Sequence, residues 1–214
     1  MTLNSLRKPF KYSYNSVSLI IIGLNIAIFL LTTSFPKLKY FLSLNVLYVT
    51  QANAYWQFFT YMFVHGDFSH ILFNMLGILF FGVAVERALG SKEFTLLYFT
   101  SGILCGVISF LVYLLTGANL IFLMGASGAI YALLLAYAVI FPKATIYIWG
   151  ILPVPAPLLI AIYAGIELSS QLLSLRDGIA HMTHLAGFAV AWLYFIIRMG
   201  INPWRIWKAA YSKK

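Results

Sequence analysis

Residues 122–137 read FLMGASGAIYALLLAY. Glycine, alanine and serine open a segment that is otherwise apolar, with Ser127 just inside its start. A hydroxyl in hydrocarbon is costly without a partner, so Ser127 is either satisfied by backbone or put to use. Small residues at a helix start also let helices pack closely, and taken alone the stretch fits that purpose too.

The surrounding composition makes hydrocarbon the solvent to consider. Of 214 residues, 62% are hydrophobic and only 9% are charged, and the mean hydropathy is +0.91. A soluble core of this size cannot hide so much apolar surface, so the sequence predicts an integral, multi-pass membrane protein. Apolar runs predict an all-α bundle of about six spans, near residues 16–34, 57–83, 94–116, 126–141, 156–175 and 180–199. The breaks are "FPKLK" (35–39), "ERALGSKE" (86–93), "FPK" (141–143) and "SLRDG" (174–178), with Pro142 ending the fourth run. "WGILPVPAP" (149–157) reads as a loop shaping the start of the fifth. No repeat or linker is evident, so residues 16–200 form one domain between a short N-terminal segment, 1–15, and a basic tail, 201–214. Cys105 stands alone, which excludes an internal disulfide and a cysteine metal site.

Charge sets the sidedness. The N-terminus, second loop, fourth loop and C-terminus share one side and carry eleven of the fourteen basic residues. Lys37, Lys39 and Arg176 fall on the other side. Both termini are therefore expected in the cytoplasm, and the net charge of +9 is a topology signal rather than one for nucleic acid. "TTSFPKLK" (32–39) lacks an A-x-A-like end, so the first span is read as uncleaved. The outer loop that follows, 35–56, carries Tyr40, Tyr48, Tyr55 and Trp56, suited to the membrane interface.

The fourth run, 126–141, reaches roughly 24 Å as a helix, short of a hydrocarbon core of about 30 Å. Pro142 and Lys143 hold its far end at the cytoplasmic surface, so its start lies below the outer surface. Irregular backbone there must be buried in protein or line a wet cavity. Ser127 then sits at a helix N-terminus whose N–H groups favour negative charge. The second run carries His65, His70 and Asn74, the last two on one helical face, and the sixth carries His181 and His184. Ser127, His70, Asn74 and His184 fall at similar depth, and polar groups inside a membrane mark function. Serine beside histidine supports nucleophilic catalysis, with the Ser127 N–H, His70 and Asn74 as oxyanion donors and Tyr131 packed on His184. "GASGA" departs from the G-x-S-x-G turn of soluble hydrolases at Ala129. No carboxylate is obviously placed for a triad, Asp177 being the nearest candidate, so the site reads as a dyad. Glu167, in mid fifth run, is expected to snorkel or face a cavity in a structural role.

Together, "GASG" (125–128), "HGDFSHILFN" (65–74), "HLAG" (184–187) and "ERALGS" (86–91), with "YWQFFTYMFVH" (55–65) before them, resemble the rhomboid family of intramembrane serine proteases. The patterns are G-x-S-G, H-x4-H-x3-N, a sixth-span histidine followed by small residues, and E-x3-G-S, in the family's order. The resemblance implies a six-span rhomboid bundle that cleaves single-pass membrane proteins near the outer face, without metal or organic cofactor. It implies Ser127 as nucleophile, His184 as general base, and His70 and Asn74 with the Ser127 amide as the oxyanion hole. Tyr131 would stack on His184, Gly125 and Gly128 would support the turn, and His65, Glu86 and Ser91 would be structural. The fifth span and the loop over the serine would admit substrate from lipid. Gln57 stands where arginine is common, which would bear on headgroup contacts. Thr183 replaces a common alanine, and His181 is extra, an alternative base that "LAG" after His184 argues against. Gly187 and Ala191 would let the sixth helix approach the fourth. The simple form resembles prokaryotic members, hence a bacterial inner membrane. Other intramembrane protease chemistries lack their residues: no H-E-x-x-H, and Asp67 and Asp177 read as helix ends. A transporter lacks paired broken helices. The remaining alternative is a rhomboid-like, non-proteolytic protein that binds membrane clients.

Overall fold

Helix α1 (Val17–Ser34) turns its polar residues inward and its apolar ones outward. Ser18, Asn25 and Thr32 are buried with Ile21, while Leu19, Ile20, Leu24, Leu30 and Leu31 are exposed. Two of the inward side chains donate within the helix, Asn25 Nδ2 to Ile21 O at 2.8 Å and Thr32 Oγ1 to Ile28 O at 2.9 Å. A helix so arranged suits a lipid solvent, where helix contacts are made by small and polar groups. The computed structural model describes residues 7–148, 150–173 and 181–212.

Three short helices follow, α2 (Pro36–Leu42), α3 (Val46–Ala52) and α4 (Gln57–Thr60). They form the loop expected at the interface, and Tyr40, Tyr48, Tyr55 and Trp56 are exposed on it. Helix α5 (Phe68–Leu89) and α6 (Ser91–Thr116) are, with α1, long and apolar enough to cross a membrane. Shorter helices complete the bundle: α7 (Ser127–Ile140), α8 (Ala156–Leu172), α9 (His181–Ile197) and α10 (Pro203–Tyr211).

The single span expected over 57–83 is instead α4, a 3₁₀ turn at Tyr61–Phe63, a break, and then α5. Asp67 causes the restart. Its Oδ1 accepts the His70 N–H at 2.8 Å, the capping bond that fixes a helix start. Further along, α5 widens into a π turn at Ile78–Gly82, where it packs against α1 and α7.

Helix α7 is the centre of the bundle, packed on α5, α6, α8, α9 and α10. Its apolar side chains run all round because it is enclosed all round; Ala132, Leu133, Ala136 and Ala138 are fully buried. Helix α9 reaches it through Gly187, where an added Cβ would lie 2.3 Å from the Gly128 carbonyl oxygen. At the other end, Trp207 Nε1 of α10 donates to Ala138 O at 2.9 Å and Tyr211 Oη to Pro142 O at 2.8 Å. These bonds satisfy carbonyls that α7's last turn and the following turn leave open.

The stretch expected as a plain proline-rich loop, 149–157, carries instead one strand of a two-stranded sheet, its partner lying just before it. Strand β1 (Thr145–Ile148) pairs antiparallel with β2 (Leu152–Pro155). Pro153 and Pro155 alternate along β2, so both missing N–H groups lie on the side away from β1, which is why the prolines are tolerated. Ala156 N then donates to Ala144 O at 2.9 Å, starting α8 close to the end of α7.

Candidate active site

The approach to Ser127 is irregular backbone held by protein. Leu44 and Leu123 exchange backbone hydrogen bonds of 2.9 and 2.8 Å, and Gly125 N donates to Tyr61 O at 3.0 Å. Asn45 Nδ2 donates to Asn119 O and Ile121 O, both at 3.0 Å. Gln57 accepts the Asn45 N–H at 3.1 Å and donates to Phe41 O at 3.0 Å. Gln57 is therefore fully buried and organises the loop from inside, in place of the headgroup contact expected of it. Its uncharged amide can do this because both ends find backbone partners.

The chain then turns at Gly125, with φ +119°, and α7 begins at Ser127 after Ala126, which has no capping side chain. The Ser127 hydroxyl and His184 Nε2 are hydrogen-bonded at 2.9 Å. The Tyr131 ring stacks on the His184 ring with centroids 4.2 Å apart and planes 9° apart. His70 comes from the first turn of α5. Its Nδ1 accepts the Gly66 N–H at 3.3 Å, so its Nε2 carries the proton. A Cβ added at Gly125 would lie 2.7 Å from that Nε2 and 3.8 Å from Ser127 Oγ. Any side chain at this position would run into the His70 ring, so glycine is what lets that ring stand close to the serine. Asn74 shares this wall; its Nδ2 donates one hydrogen to His70 O at 2.7 Å, leaving the second to point elsewhere.

The far edge of His184 meets a carboxylate. His184 Nδ1 donates to Glu167 Oε1 at 2.9 Å, and His181 Nδ1 to Glu167 Oε2 at 2.6 Å. Tyr131 Oη also donates to Oε1. Glu167, expected in a snorkelling or cavity-facing role, is 5% exposed and faces both histidines of α9. Of those two rings, it is His184 whose other nitrogen meets Ser127. A sequence signal for Glu167 existed, since an acid in mid-span is a site marker by default, but only the packing of α8 on α9 reveals its partner. Asp177 lies outside the described residues.

The other expected residues divide. His65 is fully buried and packs edge-on to His70, ring centroids 5.0 Å apart. Gly128 backs the serine, its added Cβ falling 2.9 Å from Cys105 Cβ and 3.1 Å from Thr183 Cγ2; Thr183 itself bonds Ser109 at 2.6 Å. Glu86 is not at this site. It sits near the other end of α5 and accepts the Val17 and Ser18 N–H groups at 2.7 and 2.9 Å, capping α1, and Ser91 donates to it at 2.5 Å.

A cleft of about 540 Å³ opens beside the serine, between α5 and α8. Ser127, Asn74 and Tyr131 line it with apolar residues such as Phe73, Phe80 and Leu159. A serine with an imidazole on its hydroxyl, an N–H donor of His70 close by and an apolar cleft alongside has the groups that acyl transfer uses.

A family model, the Rhomboid domain, matches residues 52–200, so the chain belongs to the rhomboid family, and it is a multi-pass membrane protein. Among its relatives is "RHOMBOID-like protein 12, mitochondrial" of Arabidopsis thaliana, 32% identical over 149 residues, covering 62% of this chain and 43% of that protein. The "Putative rhomboid protease YdcA" of Bacillus subtilis (strain 168) is 36% identical over 83 residues, 39% of this chain and 40% of that one. "Rhomboid protease GlpG" of Salmonella choleraesuis (strain SC-B67) is 35% identical over 79 residues, covering 37% and 26%. In each case the chain spans less than half of the relative's length.

Proposed function

We propose that this chain is an intramembrane serine endopeptidase with Ser127 as nucleophile and His184 as general base. The observation that carries this is the 2.9 Å bond from the Ser127 hydroxyl to His184 Nε2. As Ser127 Oγ attacks the scissile carbonyl carbon, its proton passes to Nε2 and the carbonyl electron pair moves onto oxygen. The oxyanion forms in the space beside Gly125, with the Ser127 N–H, His70 Nε2–H and the spare Asn74 Nδ2–H as donors. The imidazolium then protonates the leaving amine as the C–N bond breaks, leaving an acyl ester on Ser127. Water, deprotonated by the same base, hydrolyses the ester.

The six crossing helices are α1, α5, α6, α7, α8 and α9. Helix α7 reaches roughly 21 Å, so the serine lies inside a hydrocarbon layer of about 30 Å. The basic excess assigns both termini to the cytoplasm, which opens the site toward the outer face. The cleft between α5 and α8 would receive the transmembrane segment of a single-pass substrate. No cofactor takes part in this scheme.

Fluorophosphonate labelling of the detergent-solubilised protein tests the reading. Wild type is expected to label, and Ser127→Ala and His184→Ala are not. Equal labelling of wild type and Ser127→Ala would put the reactive serine elsewhere. A folded wild type that neither labels nor cleaves would make this a client-binding protein instead.

A further inference from the structure

A dyad leaves Glu167 without a purpose, yet it is the acidic side chain that meets the proposed base. We infer that Glu167 is the positioning residue of His184, completing a Ser127–His184–Glu167 triad braced by His181. The inference rests on the reading of Ser127 and His184 as nucleophile and base.

The geometry is that of a relay of hydrogen bonds through one ring. His184 is bonded at 2.9 Å on both nitrogens, to Ser127 Oγ through Nε2 and to Glu167 Oε1 through Nδ1. A carboxylate only accepts, so Nδ1 carries the hydrogen and Nε2 presents its lone pair to the serine. That is the tautomer a general base needs. A neutral imidazole without such a partner is free to hold its proton on Nε2, where it cannot take another. When the Ser127 proton arrives at Nε2, the positive charge on the ring faces the carboxylate, and the Nδ1 proton stays where it is.

A purely structural role accounts for less. A carboxylate in an apolar helix is costly to bury, and a tie between α8 and α9 would need only one of its oxygens. His181 provides such a tie, donating to Oε2 at 2.6 Å. With Oε2 held there, the carboxylate cannot rotate, and Oε1 is left aimed at His184. Tyr131 donates to the same Oε1 while its ring covers the face of His184. Edge and face of the imidazole are thus fixed by groups that also hold each other. Glu167 lies on α8, one wall of the cleft beside the serine, so any movement of α8 that widens the cleft also moves the carboxylate against the histidine.

The test uses the full chain in detergent as wild type, Ser127→Ala, Glu167→Gln and His181→Gln, with three readouts. Cleavage of a transmembrane peptide should show kcat of Glu167→Gln lower by about 10⁴-fold and KM within about twofold, with an unchanged melting temperature. His181→Gln should fall between this variant and wild type. Ring ¹⁵N shifts of histidine-labelled protein report the tautomer directly, and only four histidines need assigning. Wild type should show His184 protonated on Nδ1 alone, and Glu167→Gln should lose that preference. Wild-type kcat in a folded Glu167→Gln would overturn the inference and leave the serine and histidine roles standing. Should that variant not fold, a wild-type spectrum with His184 protonated on Nε2 would overturn it equally. A wild type that neither labels with fluorophosphonate nor cleaves would instead remove the reading beneath it.

Discussion

Three glutamates are buried among the described residues, and they are held in two different ways. Glu86 takes the Val17 and Ser18 N–H groups, and the hydroxyls of Ser18 at 2.6 Å and Ser91 at 2.5 Å. Glu93 takes Arg198 through Nε at 3.0 Å and Nη2 at 2.7 Å, and the Tyr194 hydroxyl. These donors keep their protons at any ordinary pH. Glu167 is held instead by two imidazoles and a phenol, and an imidazole nitrogen, unlike an amide or guanidinium nitrogen, can either donate or accept. The burial is alike in all three. The difference in partners separates carboxylates that tie helices together from one set against the proposed base.

Substitutions test this contrast. The largest effect is expected from Ser127→Ala, with kcat down by about 10⁶-fold and a melting temperature close to wild type, since one hydrogen bond is lost. A large drop in stability on thermal unfolding would make the serine part of the fold rather than of the chemistry. Gly125→Ala comes next. The methyl would enter the space bordered by His70 Nε2, 2.7 Å away, at a backbone φ of +119°. Losing an oxyanion donor costs about 10²- to 10³-fold in kcat, and peptide cleavage should show it even where labelling survives. Glu86→Ala should behave in the opposite sense. Removing the acceptor from the start of α1 is expected to cost about 3 kcal/mol of stability, read by unfolding in mixed micelles, while kcat per folded molecule is unchanged.

The parts of this architecture that follow from local rules are legible in the sequence. The apolar runs place α1, α6, α7, α8 and α9 within a few residues, and the spacing of His70 and Asn74 puts them on one face of α5. Pro142 marks the end of α7, so its shortness is legible too. Asp67 reads as a helix end, yet the span reads as unbroken over 57–83, and the capping bond to His70 N is what shows the restart; the π turn escapes because hydrophobic periodicity runs through it. The hairpin at 145–155 was hidden by its prolines, which argue against a strand unless the partner lies on one side only. Gln57 stands where arginine is common and points to headgroup contacts until its two backbone partners are found. Glu167 is the instructive case. Its depth in the fifth span was legible, but its meaning depends on the rotation of α8 against α9, which no sequence spacing fixes.

The smallest effect offers the closest comparison, because the same bond occurs at both kinds of carboxylate. Tyr131 donates its hydroxyl to Glu167 and Tyr194 donates its own to Glu93. Tyr194→Phe should cost about 1 kcal/mol of stability and leave kcat alone, since Arg198 still holds Glu93 with two bonds. Tyr131→Phe deletes a bond of the same type and keeps the ring stacked on His184. Its loss of about 1 kcal/mol should surface instead as a kcat lower by roughly fivefold, because the freed carboxylate orients the base less sharply. Tyr131→Ala, which also removes the stack, should lower kcat further. If the two Tyr→Phe variants change stability alike and neither changes kcat, the buried carboxylates are equivalent and the contrast between them fails. A kcat effect confined to Tyr131 would tie the hydroxyl's contribution to the proton that His184 has to carry.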